Sequence, residues 1–232
     1  MRADGHIVRD GGASDVTAEQ DLVVRAARSL KEASGTALGA HIILDKSIPQ
    51  GAGLGGGSSD AAATLLGLNE LWDLRLANEE LARIGLGLGA DVPVFIHQRP
   101  AWAEGVGERL TPLAFVERDY LVVFPGVQLA TASMFADPWL RRDCPRVTVE
   151  DYVAGAVLGN VFAAVASAHS PEVAAAWRWL EQRFGVVRLT GSGSALFVEI
   201  ADRAAVLAKM ADAPSSWRWR CARSLSNWFD KP

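Results

Sequence analysis

The stretch Pro49-Gln50-Gly51-Ala52-Gly53-Leu54-Gly55-Gly56-Gly57-Ser58-Ser59-Asp60 constrains this chain more than any other. Five of the seven residues from 51 to 57 are glycine, more than a tight turn needs. Ahead of it, Ala40-His41-Ile42-Ile43-Leu44-Asp45 is apolar and β-branched, which predicts a strand. Behind it, residues 61–72 carry apolar side chains at helical spacing. A glycine-dense loop therefore joins a strand to a helix. Lacking Cβ atoms, such a backbone takes positive φ and approaches a ligand closely. Its successive N–H groups can form an anion nest, to which the free N–H groups of a helix start add. Ser58 or Ser59 is placed to cap the helix, or to offer a hydroxyl to a phosphate or its metal. A polyphosphate suits this loop; a bare turn is the competing reading.

Two standard phosphate loops do not fit. The Walker pattern requires a lysine after its last glycine, where Gly57 stands. The dinucleotide pattern is met in letters by Gly51, Gly53 and Gly56. It also requires a second strand ending in an acid about 20 residues on. Residues 73–81 read instead as turn and helix.

Composition narrows the class further. The chain has 232 residues, is 50% hydrophobic and has a net charge of -4. That is enough for one large or two small domains, and it points to no nucleic-acid or anionic-membrane partner. Cys144 and Cys221 form neither a metal spacing nor a disulfide framework, which fits a reducing cytoplasm. No apolar run reaches the 18 residues of a membrane span. Most of the eight tryptophans read as packing residues; Trp217, Trp219 and Trp228 are candidates for a surface anchor.

Along the chain, residues 5–9 read as one strand of a sheet whose neighbours are missing. Asp21 to Leu30 reads as an amphipathic helix ending before Gly35, and Asn78 as the cap of a helix running to Ile84. In Asp91-Val92-Pro93-Val94-Phe95 a lone carboxylate precedes an apolar run. It is either a cap, which Pro93 favours, or a group poised to orient a hydroxyl and accept its proton. Glu104 and Glu108 read as solvated turn residues rather than metal ligands. Pro112 and Glu117-Arg118-Asp119 mark a boundary, giving domains 1–117 and 118–232. In the second half, a strand at 120–124 precedes a helix begun by Thr131, and one helix is expected within 151–168. A helix at 171–184, a strand at 186–190, a second glycine loop (Gly191-Ser192-Gly193-Ser194) and a strand at 195–199 follow. Asp202 then caps a helix from Ala204, and a last strand covers 217–222. This order fits an α+β domain of the ferredoxin-like kind.

The residues of 49–62 resemble the phosphate-binding motif of the GHMP small-molecule kinases. So do Leu88-Gly89-Ala90-Asp91-Val92-Pro93-Val94-Phe95, Ala103 to Glu108, Phe124-Pro125-Gly126-Val127 and Leu189 to Ala195, in the family's order. The closer resemblance is to the branch acting on a cytidine diphosphate sugar alcohol, with homoserine and mevalonate kinases as runner-up. The resemblance implies a two-domain α+β fold: an N-terminal ATP-binding domain of the ribosomal-protein-S5-domain-2-like type, incomplete at its start, and a ferredoxin-like C-terminal domain. It implies ATP as co-substrate, Mg²⁺, a small-molecule partner, and phosphoryl transfer to an alcohol. Pro49, Gln50, Gly51, Ala52, Gly53, Leu54, Gly55, Gly56, Gly57, Ser58 and Ser59 would hold the phosphates. Asp91 would be catalytic, with Thr131, Gly191, Ser192 and Gly193 behind the cleft. Metal ligands and oligomeric state are left open. The family's N-terminal catalytic lysine has no matching position. The expectation is a chain that begins inside the first domain and works poorly as a kinase; a nucleotide-binding relative without catalysis is the alternative. Lys46 precedes the loop but matches no catalytic position.

Overall fold

The computed structural model describes residues 1–12, 16–114, 116–156 and 158–225. The chain forms two compact units. The first comprises Met1–Ile48 and Gly55–Phe115, and the second Pro49–Leu54 and Val116–Leu225. The sequence places the whole glycine loop in the first domain; in the structure its first half packs with the second unit. Among the described residues no helix is long and apolar enough to cross a membrane.

In the first unit, β1 (Ile7–Gly11), α1 (Leu22–Ser34) and β2 (Ala40–Leu44) form a β-α-β element. The two strands pair in parallel, Ile7 opposite Ala40 through Gly11 opposite Leu44. The first strand therefore has a neighbour. Parallel strands need a crossover, so its partner lies beyond α1 rather than beside it in sequence. Helix α1 starts where the Asp21 carboxylate accepts the Val23 N–H at 2.9 Å. It stops at Gly35, whose φ of +69° is the left-handed conformation of a helix end. Asp21 also holds the Arg9 guanidinium at 2.6 Å, fixing β1 to the start of α1.

Helix α2 (Gly56–Leu71) follows the loop, then α3 (Asn78–Leu86), α4 (Val92–His97) and the antiparallel hairpin β3 (Ala101–Glu104) and β4 (Arg109–Pro112). Ala26, Ala27 and Leu30 of α1 bury with Ala61, Ala62 and Leu65 of α2, and with Leu81, Val92 and Ile96. Asn78 is not the cap of α3: it is the first helical residue, and the Glu80 carboxylate instead reaches back to the Ala77 N–H at 3.3 Å.

The second unit contains β5 (Asp119–Phe124), α5 (Thr131–Ala136), α6 (Val149–Val153), α7 (Phe162–His169), α8 (Pro171–Phe184), β6 (Val187–Leu189), β7 (Leu196–Ile200), α9 (Arg203–Lys209) and β8 (Arg218–Arg223). Its sheet runs β6-β7-β5-β8 with every pair antiparallel. Counting strands from β5, this is the order 2-3-1-4 of a ferredoxin-like domain. Alternate residues of β5 and β7, Leu121, Val123, Leu196, Val198 and Ile200, bury against Val165 of α7 and Val173, Ala176 and Leu180 of α8. Asp119 ties β5 to its neighbours. Hydrogen bonds from Arg223 and then Arg203 hold its carboxyl down at about 2.

The helix expected within 151–168 is two helices, because Gly155 turns left-handed at φ +99° just past α6. Trp217 and Trp219 are not a surface anchor: both are half-buried against the core, Trp217 edge-on to Trp179 at 5.3 Å. Trp228 lies outside the described residues.

Candidate active site

The expected site residues fall into two groups, one in each unit. In the second unit, Pro49–Leu54 is clasped by backbone hydrogen bonds. The Gly51 carbonyl accepts the N–H groups of Ser194 at 3.3 Å and Leu129 at 3.4 Å. The Ala52 carbonyl accepts the Ala195 N–H and the Thr190 hydroxyl, both at 3.0 Å. Ala52 itself is 1% exposed, packed with Phe124 and Ala195. The two glycine loops meet backbone to backbone. A Cβ at Gly53 would stand 2.3 Å from the Thr190 carbonyl oxygen, and one at Gly191 would stand 2.9 Å from that of Gly53.

Thr131 and Ser192, 61 residues apart, share a hydrogen bond of 2.7 Å between their hydroxyls. Asn160, which the sequence reading passes over, holds the second glycine loop. Its amide donates to the carbonyls of Leu189 at 3.0 Å and Gly191 at 2.8 Å, and its oxygen accepts the Phe162 N–H. An Asn just ahead of an apolar helix start is the signal that could have found it. One turn beyond Thr131 on α5, Phe135 is 59% exposed, with its ring edge-on to Phe162 at 4.8 Å.

In the first unit, the second half of the loop becomes helix. Gly55, at φ +67°, precedes α2 and supplies no side-chain cap. Ser58 and Ser59 do not take the first of the two roles open to them, capping α2, because they already lie in its first turn. Their hydroxyls make no hydrogen bond among the described residues, and the Ser59 N–H closes the first turn on the Gly55 carbonyl at 2.9 Å. The N–H groups of Gly56, Gly57 and Ser58 find no acceptor among the described residues. Three unpaired donors stand at the positive end of a 16-residue helix, where electrostatics favour an anion.

Asp91 is exposed at the start of α4, with Pro93 in the helix's first turn. Its carboxylate makes no capping bond, nor any other hydrogen bond among the described residues. The capping role is therefore not taken up, and both oxygens are available. Helix α4 lies against the start of α2. A Cβ at Gly55 would stand 3.0 Å from the Phe95 ring, and one at Gly89 would stand 3.7 Å from the Ser58 hydroxyl. Gly107 allows the hairpin turn to abut the residue before Asp91, since a Cβ there would stand 2.5 Å from the Ala90 carbonyl oxygen. In that turn Glu108 accepts the Val106 N–H at 2.7 Å. Backbone N–H groups, its own first and then that of Val106, hold its carboxyl below the usual range. No cluster of three or more His, Cys, Asp or Glu that could hold a metal ion occurs among the described residues.

A helix start with three unpaired N–H groups and a carboxylate that caps nothing are groups a phosphate-transferring enzyme uses, and the family models place the chain among the GHMP kinases. The family model for the GHMP kinases N terminal domain matches residues 21–99, and that for the GHMP kinases C terminal matches residues 153–215. A 4-diphosphocytidyl-2-C-methyl-D-erythritol kinase of Xanthomonas oryzae pv. oryzae is 50% identical over 219 residues, 94% of this chain and 74% of that protein. Another, of Cupriavidus metallidurans, is 46% identical over 97% of this chain and 79% of its own length. A crystal structure of 4-(cytidine 5'-diphospho)-2C-methyl-D-erythritol kinase superposes with a TM-score of 0.78 at 31% identity, covering 96% of this chain and 83% of its own. The chain belongs to the 4-diphosphocytidyl-2-C-methyl-D-erythritol kinase family. Membership of the GHMP kinases implies the use of ATP and Mg²⁺.

Proposed function

We propose that this chain transfers the γ-phosphoryl group of ATP to the 2-hydroxyl of 4-diphosphocytidyl-2-C-methyl-D-erythritol, giving its 2-phosphate and ADP in non-mevalonate isoprenoid precursor synthesis. The observation that carries the reading is the trio of unpaired N–H groups at Gly56, Gly57 and Ser58, with an Asp91 carboxylate that caps nothing at the start of a helix packed on α2. Residues 1–117 act as the ATP-binding domain and 118–232 as the C-terminal domain. Within the loop Pro49–Ser59, Gly56, Gly57 and Ser58 offer their N–H groups to the phosphates, and Pro49–Leu54 anchor the loop. Gly53 and Gly191 let the two loops pack, and Thr131 and Ser192 brace each other beside the second loop.

Asp91 orients the acceptor hydroxyl. A carboxylate is a far weaker base than an alkoxide, so the proton passes late. It moves to Asp91 as the new P–O bond forms and the bond from the γ-phosphorus to the ADP oxygen breaks. The free hydroxyls of Ser58 and Ser59 are hard oxygen donors of the kind that suits Mg²⁺, which needs few protein ligands beside phosphates and water. When bound, Mg²⁺ supplies neutralisation of charge on the transferring group.

Asp91→Asn tests the assignment. Calorimetric ATP affinity should stay within about threefold, while turnover falls by roughly 10²–10⁴-fold, the usual range for a positioned base. Turnover within about threefold of the parent would remove Asp91 from the chemistry.

A further inference from the structure

We propose that Lys46 and Asp60 are positioning residues: a clamp across the base of the phosphate loop that sets the first turn of α2 for ATP. The inference rests on the reading of Gly56, Gly57 and Ser58 as phosphate donors. It assigns Lys46 a task other than binding phosphate.

The chain leaves the first unit after Ile48 and rejoins it at Gly55. The six residues between are fixed by hydrogen bonds to Leu129, Thr190, Ser194 and Ala195. The donors begin immediately on return, at Gly56. Their direction therefore depends on what holds the two ends of the excursion together within the first unit. Two contacts do so. Ile48 fills the space where Gly56 lacks a Cβ, which would stand 3.0 Å from its Cγ2 atom. Lys46 donates from its ammonium to the Asp60 carboxylate. Gly56 and Asp60 are four residues apart on α2, so they share a face about 6 Å apart. Lys46 and Ile48 are two residues apart, a step that reaches at most about 7 Å. The pairs match as two rungs, 48 on 56 and 46 on 60, running antiparallel.

The pair is shielded: the side chains are 15% and 30% exposed for Lys46 and Asp60. Lysine has three donors on a flexible stem and, beside a glycine-rich loop, is ordinarily read as a phosphate ligand. Here its ammonium is occupied by a carboxylate one turn into the helix. Asp60 places a negative charge near an anion site, where electrostatics alone disfavour it. A clamp accounts for its presence.

These roles predict opposite signs. If charge alone mattered, Asp60→Asn would remove a repulsion and free Lys46, so ATP would bind more tightly. If the pair is a clamp, the first turn loses its alignment and ATP binds more weakly. We expect calorimetric ATP affinity of the full chain, with Mg²⁺, to fall about tenfold in Asp60→Asn. The KM for the cytidyl substrate and kcat should stay within about threefold. The reversed pair, Lys46→Asp with Asp60→Lys, should recover ATP affinity to within about threefold of the parent, which a direct phosphate-binding lysine would not allow. Unchanged or tighter ATP binding by Asp60→Asn overturns the clamp, as does a reversed pair that folds and still binds poorly. If Asp60→Asn does not fold, the reversed pair decides: recovery of fold and affinity supports the clamp, and failure of either rejects it. A parent chain that binds no ATP would defeat the phosphate-loop reading itself, a result separate from either clamp outcome.

Discussion

The two halves of the glycine loop use the same residue type for different ends. At Gly53, in Pro49–Leu54, glycine removes a clash between backbones: where it would carry its Cβ lie carbonyl and amide atoms of Thr190 and Gly193. In Gly55–Gly57, the space for a Cβ is bounded by side chains, Phe95, Ile48 and Leu22 in turn. The first half is an anchor held from both sides by hydrogen bonds. The second half is a helix start whose N–H groups are left over. A count of glycines treats the halves as one cradle. Geometry separates a piece that fixes the loop from a piece that presents donors, so substitutions in the two should fail differently, one in stability and the other in binding.

The hardest test of that division is Gly53→Ala. At φ +70° any side chain is strained by roughly 1–2 kcal/mol, and the new methyl would meet backbone that cannot rotate away. Overpacking of a tight site adds about 1–3 kcal/mol. Chemical unfolding of the full chain should show a loss of about 2–5 kcal/mol. A loss under about 0.5 kcal/mol would mean the two glycine loops are not packed as a unit, and the comparison would break there. Gly55→Ala should act more mildly and elsewhere. Its φ of +67° carries the same roughly 1–2 kcal/mol of strain. Its methyl, however, would meet only the tip of the Phe95 ring, which can move. With the cap distorted, ATP affinity should drop about tenfold, equivalent to about 1.4 kcal/mol, in calorimetry on folded protein. Lost stability with unchanged ATP affinity would place Gly55 with the anchor instead.

Much of this division was hidden from the sequence, for physical reasons. Features written in local chemistry were legible: the Asp21 cap and Gly35 stop of α1, Pro171 opening α8, the Asp202 cap of α9 and the alternating strands of the second unit. The start of α2 was not. Gly56 and Gly57 are poor helix formers, disfavoured by about 1 kcal/mol each against alanine, so propensity alone ends the loop later. Packing of Ile48 and Leu22 against their bare Cα atoms overrides that preference. Non-local facts were equally out of reach: the pairing of β1 with β2 across α1, the Thr131–Ser192 bond and the Asn160 brace. The phosphate loop was read from its glycines, Asp91, Thr131 and residues 191–193 from resemblance to a family, and the structure places them in two units. For Asp91 it added what sequence could not supply, that the carboxylate does not cap its own helix.

The smallest expected effect sharpens the comparison most. Gly57 lies in the first turn of α2 with helical backbone, so alanine there is free of φ strain. Its Cβ would point at the Leu22 Cδ1 atom, 3.3 Å away. That atom is the end of a flexible side chain and has only a few tenths of an ångström to yield. Crowding of this size and the higher helix propensity of alanine, up to about 1 kcal/mol, act in opposite directions. Stability of Gly57→Ala should therefore stay within about 1 kcal/mol of the parent. The methyl also lies on the packed side of the helix, while the donors leave along its axis. ATP affinity should change less than about threefold. If affinity falls tenfold while the melting curve is unmoved, the glycine at 57 is required by the approach of the ligand and not by Leu22. The second half of the loop would then be a backbone cradle in its own right, and its donors would reach the phosphate from the side that a Cβ occupies.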